Sequence, residues 1–129
     1  MKRANLTIAE YRALPKQRRH KYGAKRTVVD GIKFASRGEA LRWMELKLLQ
    51  RAGKIKGLTR QFGYSLHVPN GKLIGFYMAD FFYWRGNEPI TEEFKGAPPT
   101  ALASWKIKHL AAEYGIAVRF SGPHAKRAT

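Results

Sequence analysis

The chain lacks cysteine and contains few acidic residues. None of its 129 residues is a cysteine. This excludes a disulfide scaffold and thiolate metal sites, and it suits a reducing cytosol. No apolar run approaches the roughly 20 residues of a bilayer-spanning helix. The basic first twenty residues lack the apolar middle of a signal peptide, so we expect no export and a cytoplasmic protein.

Acidic side chains are scarce beside basic ones. The chain contains nine Asp and Glu residues and twenty-five Lys and Arg residues, which gives a net charge of +16. A field of that size attracts a polyanion, and nucleic acid is the first candidate. An anionic membrane surface and charge kept for solubility are the alternatives. The membrane is disfavoured because no stretch forms a basic amphipathic helix with a wide apolar face.

Charge and pattern divide the chain into three parts. Residues 1–21 are predicted as a basic N-terminal arm, 22–121 as one folded domain and 122–129 as a polar tail. Residues 1–26 carry nine Lys or Arg and one acid, Glu10. Within the arm, LTIAEYRAL (6–14) predicts a short helix with Thr7 as its N-cap.

The remaining elements are predicted in the order hairpin, helix, three strands, helix and strand. The turn Asp30-Gly31 predicts a hairpin over 27–36, and Ser36 begins a helix as N-cap with Glu39 three residues later. The apolar run 73–84 is predicted as a strand covered on both faces. Further elements are predicted at 36–52, 63–68, 90–95, 100–115 and 116–120. The order predicts an α/β domain with one sheet flanked by helices.

Asp80, Glu92 and Glu93, which belong to the nine acids of the chain, lie within fourteen positions of one another in the predicted sheet. Asp80 lies in the most apolar segment, where an ionised carboxylate costs several kcal/mol unless it is paired or bound to a cation. Glu93 is one hairpin away and lies beside it if the strands are neighbours. Since side chains alternate along a strand, Glu93 and Lys95 share a face while Glu92 points to the other.

Two interpretations of this cluster stay open from spacing alone. Carboxylate oxygens suit Mg²⁺ or Mn²⁺, with Lys95 as an ammonium beside the ion. An ordinary salt bridge between Lys95 and Asp80 or Glu93 explains the same residues. Glu39 likewise has a structural explanation as the capping-box residue of its helix.

Several ordered motifs resemble one known family. The segments KYGAK (21–25), GIKFASRGEALRWMELKLLQRAGKIKGLTRQ, YMADFFYW and TEEFKG look like a phage- and prophage-associated, uncharacterised branch of the PD-(D/E)XK nuclease superfamily. The match covers roughly residues 21–121. The resemblance implies a restriction-endonuclease-like core, with a central mixed sheet of about four strands flanked by helices. It also implies Mg²⁺-dependent hydrolysis of DNA phosphodiester bonds, with Mn²⁺ as a substitute ion.

The resemblance also assigns residues. Asp80 resembles the Asp of the PD half, with Ala79 in place of Pro. Glu93 resembles the second acidic metal ligand and Lys95 the catalytic lysine. GAPP after Lys95 departs from relatives, which often have a longer polar linker there.

Three further residues complete the predicted site. Glu39 resembles the helix-borne glutamate that joins the metal site in many members. The backbone carbonyl of Phe94 is predicted as an additional metal ligand. Gln61 is a site-lining candidate because related proteins often have a Gln just before the core strands.

The predicted partner is DNA, held mainly through its phosphates. Trp84 either stacks on an unpaired base or packs against the protein, whereas Trp43 and Trp105 are predicted in the core. The four histidines show no ligand spacing, so none is assigned to metal. The predicted phosphate contacts are Arg18, Arg19, Lys21, Lys25, Arg26, Lys106 and Lys108.

Small basic nucleases of this superfamily include Holliday-junction resolvases, which act as dimers. The leading prediction is therefore a homodimeric, resolvase-like endonuclease for branched DNA in phage recombination or replication, acting in the host cytoplasm. A nicking or double-strand phage endonuclease is the alternative within the same chemistry. A non-catalytic DNA-binding protein on the same fold is the alternative outside it.

Overall fold

A computed structural model of the protein describes residues 7–13 and 26–125. Within these residues, the larger of two sheets has four strands in the order β3-β4-β5-β6, and only its β5–β6 pair is parallel, while β1 and β2 form a separate antiparallel pair. The prediction of an α/β domain around a four-stranded mixed sheet is confirmed. The elements are α1 (Ile8–Ala13), β1 (Thr27–Val29), β2 (Ile32–Phe34), α2 (Arg37–Arg51), β3 (Lys56–His67), β4 (Leu73–Arg85), β5 (Glu88–Phe94), α3 (Ala101–Tyr114) and β6 (Arg119–Ser121).

The hairpin and the start of α2 follow their sequence signals. Asp30 and Gly31 have φ of 56° and 74°, the left-handed pair that a tight two-residue hairpin turn requires. The hydroxyl of Ser36 accepts a hydrogen bond from the Glu39 backbone N–H at 3.1 Å. This cap fixes the first turn of α2 and with it the position of Glu39.

The strand β3 begins at Lys56, seven residues before the predicted start. Its first half, KGLTRQF, has no regular alternation, so sequence pattern alone did not indicate a strand. The strand conformation of this half depends instead on pairing with β4, in which Arg60 lies opposite Phe81 and Phe62 lies opposite Ala79. Gln61 therefore lies opposite Asp80, and it has a φ of 51°.

The prediction that β4 is covered on both faces is wrong. Tyr77, Ala79 and Phe81 are buried, but the alternate residues Phe76 and Met78 are 58% and 54% exposed. The two long helices pack on the buried set: Leu46 of α2 joins the cluster of Phe81, and Leu110 of α3 that of Tyr77 and Ala79. An apolar strand does not reveal from its sequence which face will lack a partner.

The tryptophans divide between core and surface. Trp43 packs between Phe34 and Phe81 at ring distances of 6.3 and 6.2 Å, so its core prediction is confirmed. Trp105 is 47% exposed and its ring lies beside His109 at 5.3 Å, so its core prediction is wrong. The helix α3 is fixed by Leu110 rather than by its largest apolar residue.

Parts of the predicted arm and tail also pack on the domain. Ile8 of α1 packs on the cluster that contains Val29 and Met44, although most of the arm lies outside the described residues. At the other end, the His124 backbone N–H donates to the Lys95 carbonyl at 3.1 Å. Across residues 7–13 and 26–125, no helix combines the length and apolar character needed to cross a membrane.

Candidate active site

The predicted Asp80 and Glu93 lie side by side on neighbouring strands. Phe81 pairs with Glu92 in the antiparallel register, which puts Asp80 opposite Glu93. Asp80 Oδ2 also accepts a hydrogen bond from the Phe94 backbone N–H at 2.8 Å. This bond fixes the Asp80 carboxylate against the end of β5.

Lys95 is buried next to the same carboxylates. Only 7% of it is exposed, and its Nζ lies 3.1 Å from Glu93 Oε2. The Tyr77 hydroxyl donates to the other oxygen of Glu93 at 2.5 Å. A salt bridge therefore exists, but it joins Lys95 to Glu93, two residues before it in the chain, rather than to Asp80 on β4. Glu93 has a partner on each oxygen.

Glu39 is brought to the cluster by a close approach of α2 to the end of β5. It is buried in the first turn of α2. A Cβ at Gly38 would overlap Cζ of Phe94, so only glycine lets the helix come this near. At Gly122, which has a φ of 95°, a Cβ would lie 2.7 Å from the Lys95 carbonyl oxygen and 2.9 Å from the Phe94 ring. The Phe94 ring is thus clamped where three elements meet.

Burial and repulsion between carboxylates raise the pKa of Asp80 and of Glu39. Burial, followed by the charges of Glu39 and Glu93, raises the pKa of Asp80 to about 7, although the Phe94 N–H and Lys95 act against the rise. Burial also raises the pKa of Glu39, where the charge of Arg60 lowers it and that of Glu93 raises it further. Near neutral pH the cluster carries negative charge that a proton or a cation would relieve.

The donor set suits a hard cation in its chemistry. Asp80, Glu93 and Glu39 offer only oxygen atoms, the ligands that Mg²⁺ and Mn²⁺ prefer. The pKa of Asp80 is raised first by burial and then by Glu39 and Glu93, and Lys95 does not outweigh these effects. Among the described residues, however, no three His, Asp or Glu side chains form a group able to hold a metal ion as they stand. The predicted ion, and the predicted ligand role of the Phe94 carbonyl, stay predictions.

Gln61 lies in register with Asp80, but its side chain is exposed. Its φ of 51° is unusual for a non-glycine residue, and least expected inside a strand. Such backbone strain persists where surrounding structure enforces it, and it clusters at functional sites. The site-lining role of Gln61 stays a prediction.

Glu92 is fully buried, in an environment that the sequence pattern did not indicate. Alternation separates it from Glu93, as predicted, but its carboxylate has no exposed surface and accepts four hydrogen bonds. Arg42 donates two at 2.7 and 2.9 Å, Tyr83 one at 2.6 Å and Ser121 one at 2.7 Å. Burial alone would raise the pKa of Glu92, but these bonds outweigh it and the pKa is lowered. Glu92 is an ionised structural carboxylate.

A second unforeseen cluster joins β3 to α3. Glu113 accepts hydrogen bonds from the His67 backbone N–H at 2.7 Å, and one of its oxygens lies 2.8 Å from His67 Nδ1. His109 Nε2 lies 2.8 Å from the His67 carbonyl oxygen and 3.3 Å from Glu113. The sequence pattern did not predict these contacts, because His67 lies in β3 whereas His109 and Glu113 lie in α3. These contacts hold the end of β3 to α3.

The predicted DNA contacts are only partly within the described residues. Arg26 and Lys108 are exposed, whereas Lys106 is half-buried. Trp84 is 38% exposed and packs edge-on to Phe82 with ring centroids 5.9 Å apart. The predicted contacts Arg18, Arg19, Lys21 and Lys25 lie outside the described residues.

Comparison with known proteins gives one match. The family model described as "Protein of unknown function (DUF1064)" matches residues 19–120, which include every element from β1 to β5, α3 and most of β6. No curated protein and no solved structure matches the chain.

Proposed function

The chain belongs to the DUF1064 family, and we propose that it is a metal-dependent endonuclease that hydrolyses phosphodiester bonds of DNA. The observation that carries the proposal is the cluster of Asp80, Glu93, Glu39 and Lys95 around the end of β5. Burial, together with the charges of neighbouring carboxylates, raises the pKa of Asp80 and Glu39 within a protein of net charge +16. Buried carboxylates that repel one another are suited to bind a cation, and a bound cation could contact the phosphates of a polyanion.

Each residue has a role in the proposed reaction. Asp80 and Glu93 would hold Mg²⁺, with Glu39 and the Phe94 carbonyl as further oxygen donors. The bound ion would polarise the scissile phosphate and lower the pKa of a water molecule. Lys95, buried and already 3.1 Å from Glu93, stabilises the negative charge that develops on the phosphate. Tyr77 keeps Glu93 oriented through its hydroxyl.

DNA is the proposed substrate because its negative phosphates are attracted to the positive net charge of the protein. Arg26, just before β1, and Lys108, on α3, are exposed in separate parts of the described structure and suit contacts along a DNA backbone. The leading substrate is branched DNA in phage recombination or replication, cut in the cytoplasm of the host. A nicking or double-strand endonuclease uses the same site on linear DNA.

A homodimer would let two copies cut two strands. The exposed side chains of Ile74, Phe76 and Met78 supply an uncharged apolar stripe along β4, which a second copy of this chain would cover. Light scattering tests this: Phe76→Lys should convert a dimer into a monomer, with Lys72→Glu, an exposed change on the preceding turn, as the control. A wild type that is monomeric at all concentrations, or a Phe76→Lys dimer, contradicts the dimer.

A non-catalytic DNA-binding protein is the second candidate, and one observation favours it. Glu93 is already satisfied by Lys95 and Tyr77, and the described carboxylates do not form a ready cation site. In that case the cluster is a closed ion-pair network without chemistry.

Divalent-ion dependence separates the two functions. A labelled four-way junction and a linear duplex of the same sequence are incubated with wild type in Mg²⁺, in Ca²⁺ and in EDTA. The proposed nuclease cuts in Mg²⁺ and not in EDTA, and faster on the junction if it is resolvase-like. Binding that is equal in all three conditions, with no cleavage in any, supports the binding protein instead.

A further inference from the structure

Arg60, in the middle of β3, lies beside the carboxylate cluster. It pairs with Phe81 of β4, one position from Asp80. Burial raises the pKa of Glu39, and the charge of Arg60 opposes that rise. The guanidinium is therefore close enough for Glu39 to feel its charge, although no ion pair joins the two among the described contacts.

The guanidinium of Arg60 is held by stacking rather than by hydrogen bonds. Its central carbon lies 4.7 Å from the centre of the Phe34 ring, and Phe34 is itself only 1% exposed. The Nε atom is buried and has no hydrogen-bond partner in the described part of the chain. Stacking uses the face of the guanidinium, so the Phe34 ring takes none of its N–H donors.

Arg42 shows what a structural arginine looks like in this protein. Its guanidinium forms two hydrogen bonds to the buried Glu92, at 2.7 and 2.9 Å. A packing role accounts for the stacking of Arg60 on Phe34 but not for a buried donor without an acceptor. Buried polar groups are nearly always paired, and an exception at a candidate site calls for an external acceptor.

We propose that Arg60 binds a non-bridging oxygen of the DNA phosphate that is presented to Asp80, Glu93 and Lys95. The inference rests on the proposed function and adds a residue that the PD-(D/E)XK resemblance does not assign. A guanidinium fork matches two phosphate oxygens, and the fixed stack on Phe34 orients it before DNA arrives. Its charge also offsets the repulsion between a phosphate and the neighbouring carboxylates.

The backbone next to Arg60 supports a specialised position. Gln61 interrupts the regular ladder with a φ of 51°, between the paired Arg60 and Phe62. Strain of this kind is tolerated where it directs a side chain to a site.

Affinity for DNA tests the proposal. Arg60→Gln and Arg60→Lys are compared with Arg51→Gln, which removes the same charge from the opposite end of α2, about 18 Å along the helix from Glu39. Binding to a four-way junction is measured by fluorescence anisotropy in Ca²⁺ over a range of salt concentrations. Arg60→Gln should weaken binding about tenfold and lower the salt slope by about one, whereas Arg51→Gln changes affinity by less than about threefold. Arg60→Lys should recover part of the affinity, because it restores the charge without the fork.

Two readouts separate this role from packing and from the proposed function. If Arg60→Gln lowers the melting temperature but binds DNA as Arg51→Gln does, Arg60 is a packing residue and the proposal is overturned. In Mg²⁺, Arg60→Gln should also reduce single-turnover cleavage about 100-fold. If wild type binds but does not cut, the proposed nuclease fails, and the affinity comparison alone still decides for or against phosphate binding by Arg60.

Discussion

Glu92 and Glu93 are adjacent in β5, yet their carboxylates lie in separate networks. Glu92 accepts hydrogen bonds from Arg42, Tyr83 and Ser121. Glu93 contacts Lys95 and Tyr77 beside Asp80. Strand alternation directs these neighbouring side chains apart, so that Glu93 rather than Glu92 lies beside Asp80.

Substitution of the two glutamates should change the stability of the protein by unequal amounts. Glu92→Gln should lower the free energy of unfolding by roughly 3 kcal/mol at pH 7, because it leaves the Arg42 charge without its buried partner. Glu93→Gln should change it by less than about 1 kcal/mol, because the lost ion pair is offset by reduced repulsion on Asp80. Urea denaturation in EDTA measures both.

The lowered pKa of Glu92 fixes the pH range of that comparison. Its folded pKa lies below the ordinary value of 4.5, so its contribution is present above that pH and is lost as pH falls through the folded pKa. The two variants should therefore differ most near neutral pH and converge in acid. Equal stabilities of the two variants at pH 7 would show that Glu92 is not a structural anion.

Asp80 should destabilise the metal-free protein as pH rises. Its pKa rises from 3.8 to about 7 on folding, so between these values the folded state binds more protons than the unfolded state. Stability then falls with increasing pH through this range and levels off above pH 7. Asp80→Asn keeps an acceptor for the Phe94 N–H and removes the charge. It should be more stable than wild type by roughly 1–3 kcal/mol at pH 8 in EDTA, after allowance for solvent screening.

That difference should vanish in acid. At pH 4 the Asp80 carboxyl is protonated in the folded state, so wild type and Asp80→Asn should unfold at similar urea concentrations. A wild type that gains stability from pH 5 to pH 8 relative to Asp80→Asn contradicts the raised pKa.

Binding of a divalent cation should release a proton from Asp80. The affinity for Mn²⁺, measured by calorimetry, should decrease about tenfold for each pH unit below about 7, because the ion competes with that proton. Glu88→Gln, an exposed change at the start of β5, should keep the wild-type profile. Affinity that is independent of pH between 5.5 and 7 would exclude Asp80 as a ligand.

Gly38 should be intolerant of any side chain. Gly38→Ala places a Cβ against the Phe94 ring, so the first turn of α2 must move and carry Glu39 with it. We expect a loss of roughly 1–3 kcal/mol in stability. Gly75→Ala is the matched control, because a Cβ there meets no atom within 4 Å.

A second substitution identifies the cause of that loss. Gly38→Ala combined with Phe94→Leu should be more stable than the sum of the two single changes predicts, since the smaller side chain removes the overlap. Additive losses would show that the contact between Gly38 and Phe94 does not limit the approach of α2.

Local signals in the sequence predicted more of the fold than of the site's surroundings. Ser36, Asp30-Gly31 and Gly115 act through short-range backbone chemistry, so the elements they bound were predictable. Strand alternation and the family resemblance together selected Asp80, Glu93 and Lys95. The structure brings these three together, and Glu39 with them.

The remainder depended on contacts between distant segments. Glu92 is buried against Arg42 from α2 and Ser121 from β6, and no local sequence pattern predicts that these distant residues contact it. The exposure of Phe76 and Trp105 likewise depends on which surfaces the helices leave open. The sequence does not distinguish Arg60 from the other basic residues, because its stacking on Phe34 joins two segments that are distant in the chain.

The most direct test is single-turnover cleavage of a labelled four-way junction in Mg²⁺ by four variants and wild type. Asp80→Asn, Glu93→Gln and Lys95→Gln should each cut at least about 100-fold more slowly than wild type, while Glu88→Gln stays within about threefold. Wild-type rates in the three site variants, or no cleavage by the wild type, would contradict a nuclease centred on Asp80, Glu93 and Lys95.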